Sequence, residues 1–164
     1  MRNRFKPLTL LAVSFFLAAC AGGPKFALDK VDTTLTPQQV VSETGMHRGK
    51  EVLWGGMIIN STNLEKSTRL EVLAYPLDSD HYPQTDKPPY GRFLLLRDGY
   101  LETVDYAPGR LITVAGRIEG TRTGKVDESD YTYPLIQAEQ LHLWSSGEKS
   151  NTRFHFGIGV VFGH

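Results

Sequence analysis

The sequence is poor in cysteine, in long hydrophobic runs and in any excess of one charge. Its 164 residues contain one cysteine and equal numbers of basic and acidic side chains, 18 of each. A single cysteine excludes an intramolecular disulfide, so the fold must be held by its core. The apolar run over residues 8–17 is too short for a membrane-spanning helix, which needs about 20 residues. A nucleic-acid partner is not predicted either, because it would require a clustered basic surface.

The motifs of common catalytic and metal sites are also missing. The five histidines have neither zinc-binding spacing nor a cysteine partner, and the sequence contains neither a Gly-x-Ser-x-Gly elbow nor a phosphate-binding glycine loop. The best cation candidate, Asp78-Ser79-Asp80-His81, lacks the glycine and glutamate of a calcium loop and is better explained as a solvated acidic loop. We therefore predict no catalytic residue, no metal ligand and no cofactor. A hydrolase or metal-dependent enzyme is the least supported alternative.

The most informative stretch is Leu17-Ala18-Ala19-Cys20. Basic residues and a short apolar run precede it, which is the organisation of a signal peptide over residues 1–19. Small residues directly before the single cysteine resemble a lipobox, which predicts cleavage between Ala19 and Cys20 and acylation of Cys20, for example with palmitate. An ordinary secretory signal with a chance cysteine is the alternative. The remaining 145 residues carry 15 basic and 18 acidic side chains, a net charge of −3.

Acylation of Cys20 predicts where the protein is located. Two or more acyl chains hold a protein stably at a membrane, so the membrane is the expected partner of the N-terminus. The residue after the cysteine is Ala21 and not aspartate. This favours the outer membrane over inner-membrane retention, with the folded part facing the periplasm. Residues 20–35 are predicted to form a lipidated tether.

Residues 36–144 have the composition of a β domain, in which short β-branched and aromatic runs alternate with Gly and Pro. Thr36, Pro37 and Gln39 form a capping motif that predicts a short helix over 37–44. Gly55 and Gly56 predict a bend in the first long strand. Five strands are predicted, at about 51–59, 68–75, 92–97, 110–118 and 131–144, with polar turns or loops at 60–66, 77–91 and 119–130. We predict an all-β fold, a small five- to six-stranded OB-like barrel with a short N-terminal helix; a two-sheet sandwich is the alternative.

Two features suggest binding surfaces. Aromatic residues with polar rims can stack on sugars or peptides, and Trp54, Tyr75, Tyr131 and Tyr133 are the candidate surface for a glycan such as peptidoglycan or for a peptide, although Trp54 also suits the core. After a polar linker from residue 145, apolar residues alternate over 153–163. This pattern predicts a sixth strand of the barrel or a strand offered to a partner, another copy or the membrane. Its apolar residues are Phe154, Phe156, Ile158, Val160 and Phe162.

Several short motifs resemble one known family. They are Trp54-Gly55-Gly56, residues 70–78, Gly91-Arg92-Phe93, Gly109-Arg110, Val114-Ala115-Gly116, Tyr131-Thr132-Tyr133-Pro134 and His142-Leu143-Trp144. In this order, over residues 20–144, the chain resembles the Slp family of bacterial outer-membrane lipoproteins. The resemblance implies a lipid-anchored envelope protein that is linked to starvation or stationary-phase stress, and it implies no enzyme activity. Our own hypothesis is that the protein binds or supports other envelope components, such as an envelope protein or a glycan. The resemblance does not imply an oligomeric state, and it leaves the segment after residue 144 outside the matched motifs.

Overall fold

The computed structural model describes residues 23–147. The predicted signal peptide, Cys20 and the apolar segment over 153–163 lie outside these residues. Within 23–147, no helix has the length and apolar character needed to cross a membrane.

The described chain is almost entirely β structure. Its elements, in chain order, are β1 (Val31–Asp32), α1 (Pro37–Ser42), β2 (Glu51–Asn63), β3 (Ser67–Ala74), β4 (Arg92–Asp98), β5 (Leu111–Val126) and β6 (Ser129–Leu143). Neighbouring strands follow the order β1-β2-β3-β4-β6-β5, and β5 also pairs with β2. This last pairing closes the sheet into a five-stranded barrel. All its pairings are antiparallel except β4 with β6. The topology confirms the OB-like barrel, and the sandwich alternative is wrong because one sheet closes on itself.

Strand β2 changes its pairing partner next to Gly55-Gly56. Residues 51–57 of β2 pair with β5, whereas residues 56–63 pair with β3, with a register shift between Ile58 and Asn60. A Cβ atom on Gly56 would lie 2.0 Å from the carbonyl oxygen of Leu73 in β3. Only glycine allows the two backbones to approach so closely at the point where β2 changes its pairing partner.

Two hairpins extend further than their sequences predict. The polar residues 60–63 continue β2, and most of the expected polar loop over 119–130 forms the ends of β5 and β6. The predicted loops are wrong here because cross-strand backbone pairing, and not side-chain burial, holds these ends in the sheet. The β5–β6 turn contains Asp127, whose φ of 52° is one that Asp tolerates better than most residues.

The core of the barrel is a single cluster to which every barrel strand contributes. Among its fully buried side chains are Phe93, Ile58 and Ile136. Phe93 packs against Trp54 with ring centroids 5.2 Å apart. Trp54 is therefore a core residue, 5% exposed.

The segment before the barrel packs on it. Helix α1 has the Thr36–Gln39 capping box, and its Pro37 and Val40 are buried. Strand β1 pairs in parallel with the start of β2. Further upstream, the Ala27 amide donates to Gln140 Oε1 at 2.9 Å. Residues 23–35, the described part of the segment predicted as a tether (20–35), thus contact the barrel, and these contacts include backbone hydrogen bonds that the sequence does not indicate.

Candidate binding sites

A pocket of about 450 Å³ lies against the outside of β2. We call it the strap pocket, because residues 33–37 cross it as one wall. The other walls are Leu53–Gly55, Ala74–Asp78, His81 and Tyr90. Its volume lies within the range of about 300–1,000 Å³ that is usual for small-molecule sites.

Trp54 fixes the strap. Its Nε1–H donates to the carbonyl oxygen of Leu35 at 2.7 Å, in a buried position. The indole is thereby held between the core and the strap, with little surface left for a ligand to stack on. Tyr75 is half-buried and Tyr90 is 38% exposed, so these two residues supply the accessible aromatic surface of the pocket. Of the four aromatic residues predicted as a surface, the structure thus places Trp54 and Tyr75 in this pocket.

In the acidic loop at one side of the strap pocket, the Asp78 carboxylate is hydrogen-bonded to backbone amides of the same loop. Asp78 Oδ1 accepts hydrogen bonds from the amides of Asp80 at 2.8 Å and Tyr82 at 3.0 Å. His81 has a φ of 65°, and its carbonyl oxygen accepts from Thr113 Oγ1 at 2.6 Å. No group of three or more His, Cys, Asp or Glu side chains within residues 23–147 is placed to hold a metal ion.

Tyr131 and Tyr133 lie elsewhere, on β6. Their rings pack together with centroids 4.6 Å apart. The Tyr131 hydroxyl accepts from the Arg92 amide at 2.9 Å, and the Tyr133 hydroxyl donates to Glu71 Oε1 at 3.2 Å. Tyr133 is only 3% exposed. The four predicted aromatic residues therefore do not form one surface.

An ion pair joins these tyrosines to the neighbouring strands. Arg92 Nη1 donates to Glu71 Oε1 at 2.6 Å, and both side chains are partly buried. Its hydrogen bond to Glu71 raises the pKa of Arg92. Burial, followed by the negative charge of Glu71, raises the pKa of Tyr133. Both groups therefore stay protonated at neutral pH, and the Glu71 carboxylate is committed to them.

A second, smaller recess lies beside this network. We call it the hairpin groove, because the β2–β3 and β5–β6 hairpins supply nearly all of its lining: Asn60, Thr62, Arg69, Glu71, Leu94, Arg122, Thr123, Gly124, Lys125 and Tyr133. Its volume is about 170 Å³. Of these residues, the sequence analysis singled out only Tyr133 as a binding residue. A sequence signal for the groove does exist: Arg69 and Glu71 are two residues apart on β3, so their side chains lie on the same face of the sheet.

A predicted signal peptide and lipobox, in front of one small closed barrel, are the organisation expected of a bacterial envelope lipoprotein. The family model described as the outer membrane lipoprotein Slp family matches residues 17–161. The chain belongs to this family and is an outer-membrane lipoprotein. The match extends past residue 144, so it includes most of the C-terminal segment that the sequence motifs left outside the resemblance.

Individual relatives agree with this assignment. The chain is 34% identical over 140 residues to an uncharacterized protein of Haemophilus influenzae, covering 84% of this chain and 75% of the relative. It is 28% identical over 165 residues to the outer membrane protein Slp of Escherichia coli, covering 98% and 87%. It is also 34% identical over 113 residues to the uncharacterized lipoprotein YeaY of Escherichia coli, covering 66% and 58%.

Solved structures show only a distant likeness. The mitochondrial single-stranded DNA-binding protein Rim1 of S. cerevisiae has a TM-score of 0.39 at 13% identity, covering 60% of this chain and 98% of that chain. A small single-stranded DNA-binding protein of Streptomyces coelicolor has a TM-score of 0.36 at 16% identity, covering 58% and 94%. Likenesses this weak carry no argument about what this chain binds. The barrel topology rests on its own strand pairings.

Proposed function

We propose that this lipoprotein is a non-enzymatic envelope component. Acyl chains on Cys20 anchor it to the outer membrane with the barrel facing the periplasm, where it supports or binds other envelope components, with a role under starvation or stationary-phase stress. The observation that carries the proposal is the short distance along the chain between Cys20 and the first contacts of the barrel.

Those contacts begin directly after the predicted anchor. A Cβ on Gly23 would lie 3.5 Å from the Asp80 carbonyl oxygen, so the backbone there is already close to the loop after β3. The Phe26 ring meets the edge of His81 with centroids 5.7 Å apart. Gly23 is three positions after Cys20, and an extended chain over that separation spans about 10 Å. An anchored barrel would therefore stay near the membrane, with the loop containing Asp80 and His81 on its membrane side.

Such a short link suits a role in supporting or docking membrane components better than a role that requires the barrel to reach far into the periplasm. A barrel held within about 10 Å of its anchor samples a thin layer of periplasm, in which its effective concentration toward neighbouring membrane components is high. The strap pocket shares His81 and Asp78 with the membrane-side loop. Whatever binds in that pocket would therefore do so close to the membrane.

The anchor is tested with a Cys20→Ser variant of the full chain, with Ala21→Ser as the matched control. We expect the wild type and the control to show the intact mass of a chain cleaved before Cys20 and carrying acyl chains, and to fractionate with the outer membrane. Cys20→Ser should lose both properties. An Ala21→Asp variant should remain acylated but move to the inner membrane. An unmodified, soluble wild-type protein would contradict the proposal.

A second candidate function is glycan or peptide binding in the strap pocket. Its volume and the accessible rings of Tyr75 and Tyr90 favour it, since aromatic faces with polar rims suit sugars. Soluble peptidoglycan fragments should then change the fluorescence of Trp54, which lines the pocket. Tyr75→Ala should weaken this response, whereas Tyr100→Ala, at a 66% exposed position that does not line the pocket, should not. Equal responses in both variants would argue against this site.

The C-terminal segment is proposed as a contact strand for a partner. The alternating apolar residues of 154–162 have the pattern of a strand that can add to a sheet edge of another chain. Deleting residues 148–164 leaves every described residue in place. The deletion should abolish concentration-dependent association, measured by analytical ultracentrifugation, without lowering the melting temperature. A large loss of thermal stability would instead indicate that the segment belongs to the core.

A further inference from the structure

We propose that the hairpin groove binds a sugar that carries one anionic group, a carboxylate or a phosphate, through Arg69 and Arg122. This site is separate from the strap pocket and does not depend on the lipid anchor. The argument rests on the position, charge and size of the groove.

The sheet register brings the groove side chains together. Thr62 pairs with Arg69, and Asn60 pairs with Glu71, across β2 and β3. Directly paired residues project from the same face of a sheet, so these four line one wall. Arg122 comes from the other hairpin, where it is the cross-strand partner of Tyr133. Two hairpins that are distant in sequence thus bring Arg69 and Arg122 to one recess.

The cations of the groove exceed the negative charge available to them. Glu71, the single carboxylate of its lining, pairs with Arg92 and accepts from Tyr133. Lys125 pairs with Asp130 at 3.1 Å. Neither Arg69 nor Arg122 forms an ion pair with any residue of the described part of the chain. Arg69 is also half-buried and lines the groove, where the described residues give it no counter-charge. An anion from outside the protein would supply that counter-charge.

The positive charge of the groove is opposite in sign to the net charge of the mature chain. After removal of residues 1–19 the chain has a net charge of −3, whereas the groove is lined by two arginines, Arg69 and Arg122, that have no ion pair with a described residue. A concave site focuses the field of its charges and draws in ligands of opposite sign. The net negative charge elsewhere disfavours a polyanion that would have to extend beyond the groove.

The size and lining of the groove limit the ligand further. At about 170 Å³ it is smaller than the usual small-molecule site of about 300–1,000 Å³, so it suits one charged group and its immediate neighbours. Its aromatic residue, Tyr133, is 3% exposed and offers no face on which a nucleobase could stack. The hydroxyls of Thr62 and Thr123 and the amide of Asn60 are groups that pair with sugar hydroxyls. An anionic sugar therefore fits better than a nucleic acid.

The test is an NMR titration of the purified mature lipoprotein in detergent with three sugars. N-acetylmuramic acid carries a carboxylate, N-acetylglucosamine 6-phosphate carries a phosphate, and N-acetylglucosamine is their neutral counterpart. We expect one or both anionic sugars to bind, with shifts at the groove, and the neutral sugar to bind at least tenfold more weakly. The stronger of the two identifies the source of the anion. Binding should weaken as salt is raised.

Variants separate the groove from general charge effects. Arg69→Gln and Arg122→Gln should each weaken binding of the anionic sugar by about tenfold, which corresponds to the loss of one charge-assisted hydrogen bond. Arg48→Gln removes an exposed arginine that does not line the groove and should leave binding unchanged. Arg122 is itself exposed, so its variant is expected to fold even if Arg69→Gln is destabilised.

Three results would overturn the proposal. The first is a titration in which neither anionic sugar binds more tightly than N-acetylglucosamine, which includes the case in which neither binds at all. Another is an equal loss of binding in Arg48→Gln and Arg122→Gln. The third is a single-stranded oligonucleotide that binds the groove more tightly than either anionic sugar. Loss of membrane anchoring in Cys20→Ser would leave this titration unaffected, so the two proposals fail independently.

Discussion

Replacement of Gly56 by alanine tests the account of how the barrel closes. Gly56 pairs with Ala74 of β3 on one side and with Ile112 of β5 on the other. A Cβ at this position would lie 2.0 Å from the Leu73 carbonyl oxygen and 2.8 Å from its carbonyl carbon. Both atoms are backbone, so the clash can be relieved only by moving β3 away from β2. Such a shift would break ladder hydrogen bonds at the point where β2 changes partner.

The expected cost exceeds that of an ordinary small-to-large change. Overpacking of a filled interior usually costs about 1–3 kcal/mol, and a clash with backbone belongs at or above the upper end. Gly99→Ala is the matched control. Its φ is 83° but nothing lies within 4 Å of its Cβ, so it carries only the backbone term of about 1 kcal/mol. We therefore expect Gly56→Ala to lose about 3 kcal/mol or more.

The assay is urea unfolding of the mature lipoprotein in detergent, followed by tryptophan fluorescence, with thermal melting as a second measurement. A loss of about 3 kcal/mol corresponds to a decrease in Tm of about 10 °C for a domain of this size. A Gly56→Ala variant that is no less stable than Gly99→Ala would refute the reasoning. It would mean that the two strands are not in contact at this point.

Three further substitutions test individual interactions. Trp54→Phe removes the buried hydrogen bond to the Leu35 carbonyl; it should cost about 1–3 kcal/mol in urea unfolding and speed hydrogen exchange in the strap, and unchanged exchange would contradict the role of the indole. Glu71→Gln removes the charge partner of Arg92 and should lower the free energy of unfolding in urea by about 1–2 kcal/mol. An unchanged free energy of unfolding would indicate that solvent already screens the pair. Hydrogen bonds from Thr34 lower the pKa of Asp32, so its contribution to stability is present above its unfolded pKa of about 3.9 and is lost as pH falls through the lower folded value. Asp32→Asn should therefore reduce the acid-induced loss of stability, measured by urea unfolding between about pH 2 and 6, and an unchanged profile would exclude this contribution.

Part of the fold could be predicted from local patterns. The capping motif at Thr36 lies directly before α1, and the glycine pair at 55–56 lies where β2 changes its pairing partner. Both are local effects, in which backbone geometry depends on residues a few positions apart. The polar ends of β2, β5 and β6 were not predicted as strands, because polar residues carry no period-two burial signal when neither face is covered.

The candidate sites were less predictable. Trp54 and Tyr75 line one pocket, whereas Tyr131 and Tyr133 belong to a network on another part of the barrel. Aromatic composition identifies residues that can bind, but it does not say which of them share a surface. The groove cations were missed for a related reason. An arginine on a strand is indistinguishable in sequence from an ordinary solvent-facing charge until its neighbours are known.

The sequence by itself determined the outer-membrane lipoprotein assignment, the predominance of β structure and the glycine pair at which β2 changes its pairing partner. Each depends on residues that act through local chemistry or through a short motif. Only the tertiary structure decided that Glu71 pairs with Arg92, that Arg69 has no ion pair with any residue of 23–147, and that Arg122 lines the same recess. Arg69 and Arg122 are separated by more than fifty residues and come together only when the barrel closes, because pairing between strands and not proximity in the chain sets which charges meet.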